Sequence, residues 1–395
     1  MKRIFQNHTI STGLAIFSML FGAGNLIFPL AAGMQSGSQA ILGVGSFLVT
    51  AVLLPLVGVL GMILYDGNYQ QFFERLGKIP GKIFIFACMM VIGPIVAIPR
   101  ITTLSHTMLA PHLSFVGLDQ IAPYTSLIFA IIFLGITFLL TFRENNIVNI
   151  LGYVISPLLL IALIVIIVKG LLNADEIIPN MQPAGDIIKK NLLRGFETLD
   201  LLGTIFFSAM IFTILKRTMG KKFETNQRLR MTVGLKSGTI GIVLLGLVYC
   251  GMGFLGAYHG HGLDALNEGA LFREISTRIL GVHGALVIAI AVLMACLSTS
   301  IALGAIVAEY LQKTIAKNKI SFVTALAIVL LLCLPLSIFG LDAVLALTEG
   351  AITFIGYPIL ITLTLCNIAY KFFGFKPVKI PVLLTLVGAV ATYLT

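Results

Sequence analysis

Small residues in the first long apolar stretch have the composition of an opened helix. Gly22, Ala23 and Gly24 precede Asn25, and Pro29 follows one turn later. Glycine and proline free backbone groups that a membrane-spanning helix otherwise pairs internally. Freed amides can bind an anion and freed carbonyls a cation, while the Asn25 amide can coordinate a cation or brace the opening. Close helix packing through small residues is the alternative, but GxG spacing beside an asparagine favours an opened helix.

Two acidic residues lie near the start of the sixth apolar stretch. Asp200 falls well inside the predicted span 191–215, where a carboxylate is costly unless it is paired, protonated or bound to a cation. We therefore predict that Asp200 belongs to a binding site. An acid at the membrane interface is the alternative, and for Glu197 it is the preferred interpretation.

Hydroxyl groups mark the eighth apolar stretch. Ala295, Ser298 and Thr299 share one helical face, because residues three and four apart are neighbours on a helix. One carbonyl and two hydroxyl oxygens can therefore point to a common spot, and hard oxygen ligands of low charge suit Na⁺. Hydroxyls that bond back to their own helix would give the same pattern without a site. The residues alone leave both interpretations open.

The third apolar stretch contains an arginine beside two prolines. Pro94 and Pro99 predict a kinked or opened helix, and Arg100 follows directly. The Arg100 side chain either extends towards the outer surface or pairs with Asp200 or with an acid of an external gate.

These residues belong to a chain that is too apolar for a water-soluble fold. Of its 395 residues, 58% are hydrophobic and only 11% are charged. Apolar blocks of about 18–25 residues recur, the length that crosses a bilayer as an α-helix. We predict an all-α polytopic membrane protein, with the first block kept as a helix and not a signal peptide. Residues 340–350 leave a twelfth span possible beside the eleven predicted, which are 10–33, 40–65, 82–108, 121–142, 147–172, 191–215, 231–257, 283–310, 320–338, 351–372 and 379–395.

Basic residues predict the orientation of the chain. Eighteen Lys and Arg residues fall on the side that holds the N-terminus and six on the other, so the positive-inside rule places the N-terminus in the cytoplasm. The net charge of +10 reflects this topology, because no basic region is large enough for a nucleic-acid partner. The five cysteines are isolated in the sequence and predict neither a zinc site nor disulfides.

The order of the spans predicts an internal repeat. Spans 1 and 6 each begin a set of five, and an odd number makes the second set run through the membrane in the opposite sense. Discontinuous helices that face each other at the midplane are typical of transporters built from inverted repeats. The predicted units are residues 1–172 and 173–372, followed by an additional C-terminal helix at 373–395.

The same sequence argues against other classes of membrane protein. A membrane enzyme needs catalytic groups at depth, and the chain has no HExxH or GxSxG motif and no paired acids. A channel needs a continuous polar lining, whereas the polar groups here cluster at one depth. We expect no enzyme activity and no cofactor other than a coupling ion.

Three motifs resemble one family. Residues 17–29 resemble the first-helix signature of the bacterial branched-chain amino acid carriers, the leucine, isoleucine and valine:cation symporter family of the amino acid-polyamine-organocation superfamily. Residues 93–100 are similar to its third-helix motif, and Leu199-Asp200 resembles its sixth-helix motif. The resemblance covers almost the whole chain and implies a leucine-transporter-like five-plus-five inverted repeat with discontinuous helices 1 and 6.

The resemblance also implies roles for particular residues. The substrate carboxylate would bind at residues 22–25. We further hypothesise that the substrate ammonium lies near helix 6 carbonyls or Asp200 and its side chain near Phe206, Phe207 and Leu303. A Na⁺ site would combine carbonyls near Ser18 and Phe21 with Ala295, Ser298 and Thr299. Arg100, Pro99 and Glu197 would serve in gating or structure. Two departures from the family are Ser298-Thr299 in place of Thr-Thr and a chain about one span shorter.

The expected function is Na⁺-coupled uptake of Leu, Ile and Val by alternating access in the cytoplasmic (inner) membrane. A proton-coupled or differently selective amino acid carrier, with Asp200 titrating, is the alternative. The expected partners are a small amino acid, Na⁺ or H⁺ and the lipid bilayer, with no obligate protein partner.

Overall fold

The computed structural model describes residues 2–113, 124–142, 156–174, 177, 179–220, 223 and 225–394. Parts of the predicted spans 121–142, 147–172 and 379–395 lie outside these residues. The described part of the chain is helical and contains no strand. The predicted all-α class is therefore confirmed.

The first half contains nine α-helices within the described residues. A π-helical turn at Val49–Leu53 joins α3 to α4, and another at Val91–Ile95 leads from α6 towards α7. The helices are α1 Lys2–Leu20, α2 Ala23–Ser36, α3 Ala40–Leu48, α4 Leu54–Leu64, α5 Tyr69–Glu74, α6 Lys78–Met90, α7 Ala97–Leu113, α8 Thr125–Thr141 and α9 Ser156–Leu172.

The second half follows with longer helices. α13 is interrupted at Gly281, whose backbone is left-handed (φ 72°), and a π-helical turn at Thr348–Gly356 separates α15 from α16. The helices are α10 Ala184–Glu197, α11 Asp200–Met219, α12 Gln227–His259, α13 Glu268–Tyr310, α14 Phe322–Cys333, α15 Leu341–Leu347, α16 Tyr357–Phe373 and α17 Lys379–Leu394.

These helices account for the predicted spans. Six helical stretches in the described residues are long and apolar enough to cross a membrane, one of them, Ala184–Thr213, running across the junction of α10 and α11, and five shorter apolar helices occur beside them. Each of the eleven predicted spans overlaps one of these. Residues 341–347 do not form a separate twelfth span, because α15, the π-helical turn and α16 together make up one membrane-spanning stretch, Leu341–Phe373, with a kink at Gly350.

Both predicted helix openings are present. α1 ends at Leu20 and α2 begins at Ala23, with Gly22 extended between them (φ −116°, ψ −157°). α10 ends at Glu197 and α11 begins at Asp200, with Leu199 in the left-handed conformation (φ 62°). Non-glycine residues rarely adopt that conformation, so the surrounding structure must hold the second break open.

Packing brings the two breaks together in the middle of the bundle. α1 and α2 lie against α12, α13 packs against α1, α2 and α7, and α11 packs against α4. The predicted repeat boundaries at residues 172 and 372 stay a prediction.

Candidate functional site

The first break faces the hydroxyl groups of α13. Ser298 Oγ donates to the Ser18 carbonyl at 2.9 Å and to the Ala295 carbonyl at 2.8 Å. Thr299 Oγ1 donates to the Phe21 carbonyl at 3.2 Å. All five residues are buried. The hydroxyls therefore reach across to the carbonyls freed at the end of α1, and do not merely bond back to their own helix.

The two glycines of the first break face different neighbours. A Cβ on Gly22 would lie 3.1 Å from Thr299 Cγ2, and a Cβ on Gly24 would lie 2.9 Å from Arg100 Nη2. Residues larger than glycine would therefore crowd α13 on one side or α7 on the other. This close approach explains the GxG spacing, in addition to the opened backbone.

A hydrogen-bonded triad joins the second break to the first. Asn25 Oδ1 accepts from the Gly22 amide at 2.9 Å, and Asn25 Nδ2 donates to Asp200 Oδ1 at 2.7 Å. Tyr249 of α12 donates through its hydroxyl to Asp200 Oδ2 and also accepts from Asn25 Nδ2. All three side chains are buried. Both oxygens of the carboxylate thus accept hydrogen bonds from neutral donors.

Arg100 holds the end of α10. Its Nη1 donates to the Glu197 carbonyl at 2.7 Å, its Nη2 to the Thr198 carbonyl at 3.4 Å, and its guanidinium carbon lies 5.4 Å from the centre of the Phe28 ring. Arg100 is only 4% exposed. The predicted extension of Arg100 to the outer surface is therefore wrong. No carboxylate among the described residues forms a direct ion pair with the guanidinium, but Asp200 and Glu197 are close enough to act on its charge, so its pairing with Asp200 stays a prediction. A cation at a helix C-terminus is favourable because carbonyl dipoles point towards it.

A small cavity lies between the two breaks. Its volume is about 30 Å³, room for water but not for an amino acid. The polar residues that line it are Asn25, Arg100, Asp200 and Thr299, and Gly22 and Ala23 of the first break line it as well. Apolar lining is supplied by residues that include Leu20, Ile101, Phe207 and Leu303. A larger substrate requires this space to open.

Phe206 lies elsewhere. It lines a larger cavity of about 260 Å³ at the end of the bundle that holds Asp66, Glu309 and Lys313, and its ring contacts those of Tyr69 and Phe73. The structure therefore brings Phe207 and Leu303 to the inner cavity but not Phe206.

Glu197 and Pro99 flank the site without lining the inner cavity. Glu197 is 8% exposed and its Oε2 has no hydrogen-bond partner among the described residues, so it is buried and not a solvated interfacial acid. Its main-chain carbonyl, bound by Arg100, is the part that belongs to the site. Pro99 supplies a carbonyl to the Thr103 hydroxyl within α7.

Tyr249 was missed by the sequence interpretation. A tyrosine deep in an apolar helix must find a partner for its hydroxyl group, and this was the available signal. In the part of the chain that the structure describes, no three His, Cys, Asp or Glu side chains come close enough together to hold a metal ion.

Two broken helices that meet at a shared cavity define the chain as a multi-pass membrane transporter with a leucine-transporter-like fold. It belongs to the branched-chain amino acid transport protein family, whose model matches residues 5–395. The family contains transport proteins and not enzymes, as predicted.

Individual relatives agree with this assignment. The branched-chain amino acid permease BraB of Bacillus subtilis is 29% identical over 92% of this chain and 80% of its own length. The branched-chain amino acid permease BrnQ of Corynebacterium glutamicum is 29% identical over 92% of this chain and 81% of its own length.

Solved structures share the fold at low sequence identity. The inward-facing conformation of Mhp1 matches with a TM-score of 0.62 at 14% identity, covering 98% of this chain and 89% of Mhp1. A Na⁺-coupled sialic acid symporter matches with a TM-score of 0.58 at 11% identity, covering 97% of this chain and 90% of the symporter. The predicted fold class is confirmed.

Proposed function

We propose that this chain is a Na⁺-coupled symporter that carries leucine, isoleucine and valine into the cell. The observation that carries the cation part is the group of oxygens where the first break meets α13. These are the carbonyls of Ser18, Phe21 and Ala295 and the hydroxyls of Ser298 and Thr299, linked by hydrogen bonds of 2.8–3.4 Å. An ion of low charge and high preference for oxygen fits a set with no carboxylate.

The substrate site that we propose uses the other side of the same break. Residues 22, 23 and 25 at the start of α2 line the inner cavity, and the positive end of that helix's dipole suits a carboxylate. Asp200 offers a negative charge to the ammonium group, and Phe207 and Leu303 offer apolar surface to a branched side chain.

Coupling follows from this shared backbone. Na⁺ would hold the end of α1 against α13 while the substrate carboxylate holds the start of α2, so each ligand favours the arrangement that the other needs. Such coupling is reciprocal in binding free energy. One cation that crosses 100 mV supplies about 2.3 kcal/mol, enough to concentrate a substrate roughly fiftyfold.

The location and orientation belong to the same proposal. The relatives are permeases and the helices are those of a multi-pass membrane protein. The excess of basic residues on one side supports a cytoplasmic N-terminus in the cell's inner membrane.

A proton-coupled carrier is the second candidate. Asp200 is 3% exposed, lines the cavity and has no ion-pair partner in the described parts of the chain, so it is the residue that would accept and release the proton.

Uptake of radiolabelled isoleucine into proteoliposomes separates the two candidates. We expect accumulation with an inward Na⁺ gradient and none when K⁺ replaces Na⁺. Accumulation that ignores Na⁺ but collapses with the pH gradient would establish the proton-coupled carrier. Failure of any branched-chain amino acid to accumulate under either gradient contradicts both.

A further inference from the structure

Arg100 is a buried cation that makes no direct ion pair with a carboxylate of the described residues, although Asp200 and Glu197 act on it from a distance. It is 4% exposed, and its guanidinium contacts two neutral carbonyls and the Phe28 ring. No carboxylate in the described parts of the chain forms an ion pair with it. A charge at membrane depth is costly unless an opposite charge compensates it. Arg100 therefore has the properties of a group that awaits an anion.

The guanidinium also has free donor capacity at the right place. Arginine carries five N–H donors, and Arg100 uses one on the Glu197 carbonyl and one on the Thr198 carbonyl. Its Nε is buried and has no partner among the described residues. Arg100 lines the inner cavity together with Gly22 and Asn25. Its Nη2 lies so close to Gly24 that a Cβ there would be 2.9 Å away.

Asp200 lines the same cavity with the opposite charge. Its two oxygens accept hydrogen bonds from Asn25 and Tyr249, which are neutral donors. Neither the carboxylate nor the guanidinium is in direct contact with an opposite charge among the described residues, so each can still form an ion pair with a ligand. An α-amino acid is a zwitterion, with one charge of each sign on neighbouring atoms. The cavity offers one buried charge of each sign, and the two attract each other without forming a direct ion pair.

We propose that Arg100 is a substrate-binding residue that contacts the α-carboxylate directly, with the start of α2, while Asp200 receives the ammonium group. This inference rests on the proposed function. It names the feature of the substrate that the site recognises, an α-carboxylate next to an α-ammonium group. The carbonyls of Glu197 and Thr198 and the Phe28 ring hold the guanidinium in place, so its remaining N–H donors stay directed towards the cavity. Bidentate arginine–carboxylate contacts are strong and geometrically specific.

The test compares leucine with leucinamide, which keeps the ammonium group and side chain but lacks the carboxylate charge. Binding is measured on purified protein in Na⁺, by displacement of radiolabelled isoleucine or, where a variant retains too little of it, by ligand-induced thermal shift. In the unmodified protein we expect leucine to bind at least about 100-fold more tightly than leucinamide. In Arg100→Gln we expect this ratio to fall to less than about tenfold, because leucine binding weakens while leucinamide binding changes little.

Two further variants give the test its control. Arg194→Gln removes a different largely buried arginine, which lies in α10, pairs with Glu268 at 3.6 Å and does not line the cavity. This variant should leave the ratio unchanged. Arg100→Lys keeps the charge but loses the two-pronged guanidinium, and should give an intermediate ratio. It replaces Arg100→Gln in the test if that variant does not fold.

Each outcome decides the inference. An unchanged ratio in Arg100→Gln, or an unchanged ratio in Arg100→Lys where only that variant folds, overturns the direct contact. If leucine and leucinamide both bind Arg100→Gln more weakly by the same factor, Arg100 has a structural role, which also overturns the direct contact. If neither ligand binds the unmodified protein, the proposed function itself has failed, which the ratio experiment distinguishes from failure of the Arg100 contact.

Discussion

Asn25 and Asp200 are joined by a 2.7 Å hydrogen bond between Nδ2 and Oδ1, across 175 positions of sequence. Each residue lies at the start of the helix that follows one of the two breaks. Asn25 also accepts from the Gly22 amide at 2.9 Å, so the bond connects the opened backbone of α2 to the first residue of α11. A movement of one break is therefore transmitted to the other through a buried polar contact.

Tyr249→Phe tests the third member of this triad. Removal of the hydroxyl takes one donor from Asp200 and leaves a buried acceptor less satisfied, a loss of about 1–2 kcal/mol. We expect leucine affinity to fall roughly tenfold with little change in the Na⁺ concentration needed for half-maximal uptake. Tyr393→Phe, at an exposed tyrosine of α17, is the control. Unchanged leucine affinity in Tyr249→Phe would show that the triad does not support the substrate site.

The double substitution Ser298→Ala with Thr299→Ala tests the cation site. Both hydroxyl ligands are lost while the helix is preserved, so we expect the Na⁺ concentration for half-maximal isoleucine uptake to rise more than about tenfold. Preference among Leu, Ile and Val should stay the same, because in the proposed site the substrate side chain packs on Phe207 and Leu303 and not on these hydroxyls.

Ser300→Ala is the matched control for that experiment. Ser300 lies on the same helix and is buried, but Thr137 Oγ1 donates to its hydroxyl at 3.3 Å and it does not face the first break. Its loss should leave the Na⁺ requirement unchanged. Equal Na⁺ dependence in the double variant and in Ser300→Ala would remove the proposed ion site.

Gly24→Ala tests the close approach of Arg100 to the first break. The new methyl group would lie 2.9 Å from Arg100 Nη2 and 3.1 Å from Phe28 Cε2, and overpacking of this kind costs about 1–3 kcal/mol. We expect leucine affinity to fall roughly tenfold or more as the guanidinium is displaced. Competition binding with labelled isoleucine measures the change.

Gly45→Ala provides the comparison. Gly45 lies in α3 and a Cβ there meets nothing within 4 Å, so alanine should stabilise the helix slightly and leave binding intact. Equal binding by the two alanine variants would mean that the guanidinium has room to move without loss.

Local chemistry made the two breaks predictable. Glycine and proline weaken the helix at their own positions, so residues 22–25 indicate an opening without any knowledge of the residues that pack against them. The second break has no glycine and was found through the cost of a buried Asp200. What the sequence could not supply was the left-handed conformation of Leu199, because packing by distant helices imposes it.

Partners far apart in sequence were the harder part. Arg100 was expected at the surface or beside an acid, but it binds the carbonyls of Glu197 and Thr198. These carbonyls are free because α10 ends at Glu197. The position of this helix end relative to α7 depends on the packing of the whole bundle. Phe206 and Phe207 are adjacent, yet neighbouring residues of a helix point in different directions, so only Phe207 lines the inner cavity.

The larger cavity should face the cytoplasm. This cavity of about 260 Å³ is lined by Thr213, Lys216 and Lys313, and the positive-inside rule assigns basic residues to the cytoplasm. With Cys250, the one native cysteine that is not buried, replaced by alanine, Thr213→Cys should react with an impermeant maleimide in inside-out vesicles but not in right-side-out vesicles. His261→Cys, at an exposed position between α12 and α13, should show the opposite preference.

Sodium should then change the rate of labelling at position 213. If the cation favours the outward-open arrangement, its addition lowers the population in which the larger cavity is open, and labelling of Thr213→Cys slows by about fivefold or more, within the usual range of coupling between two sites. Labelling of His261→Cys at an exposed loop should not slow. Reaction of Thr213→Cys from the outside would reverse the proposed orientation, whereas a rate from the inside that Na⁺ leaves unchanged would separate cation binding from the movement that opens this cavity.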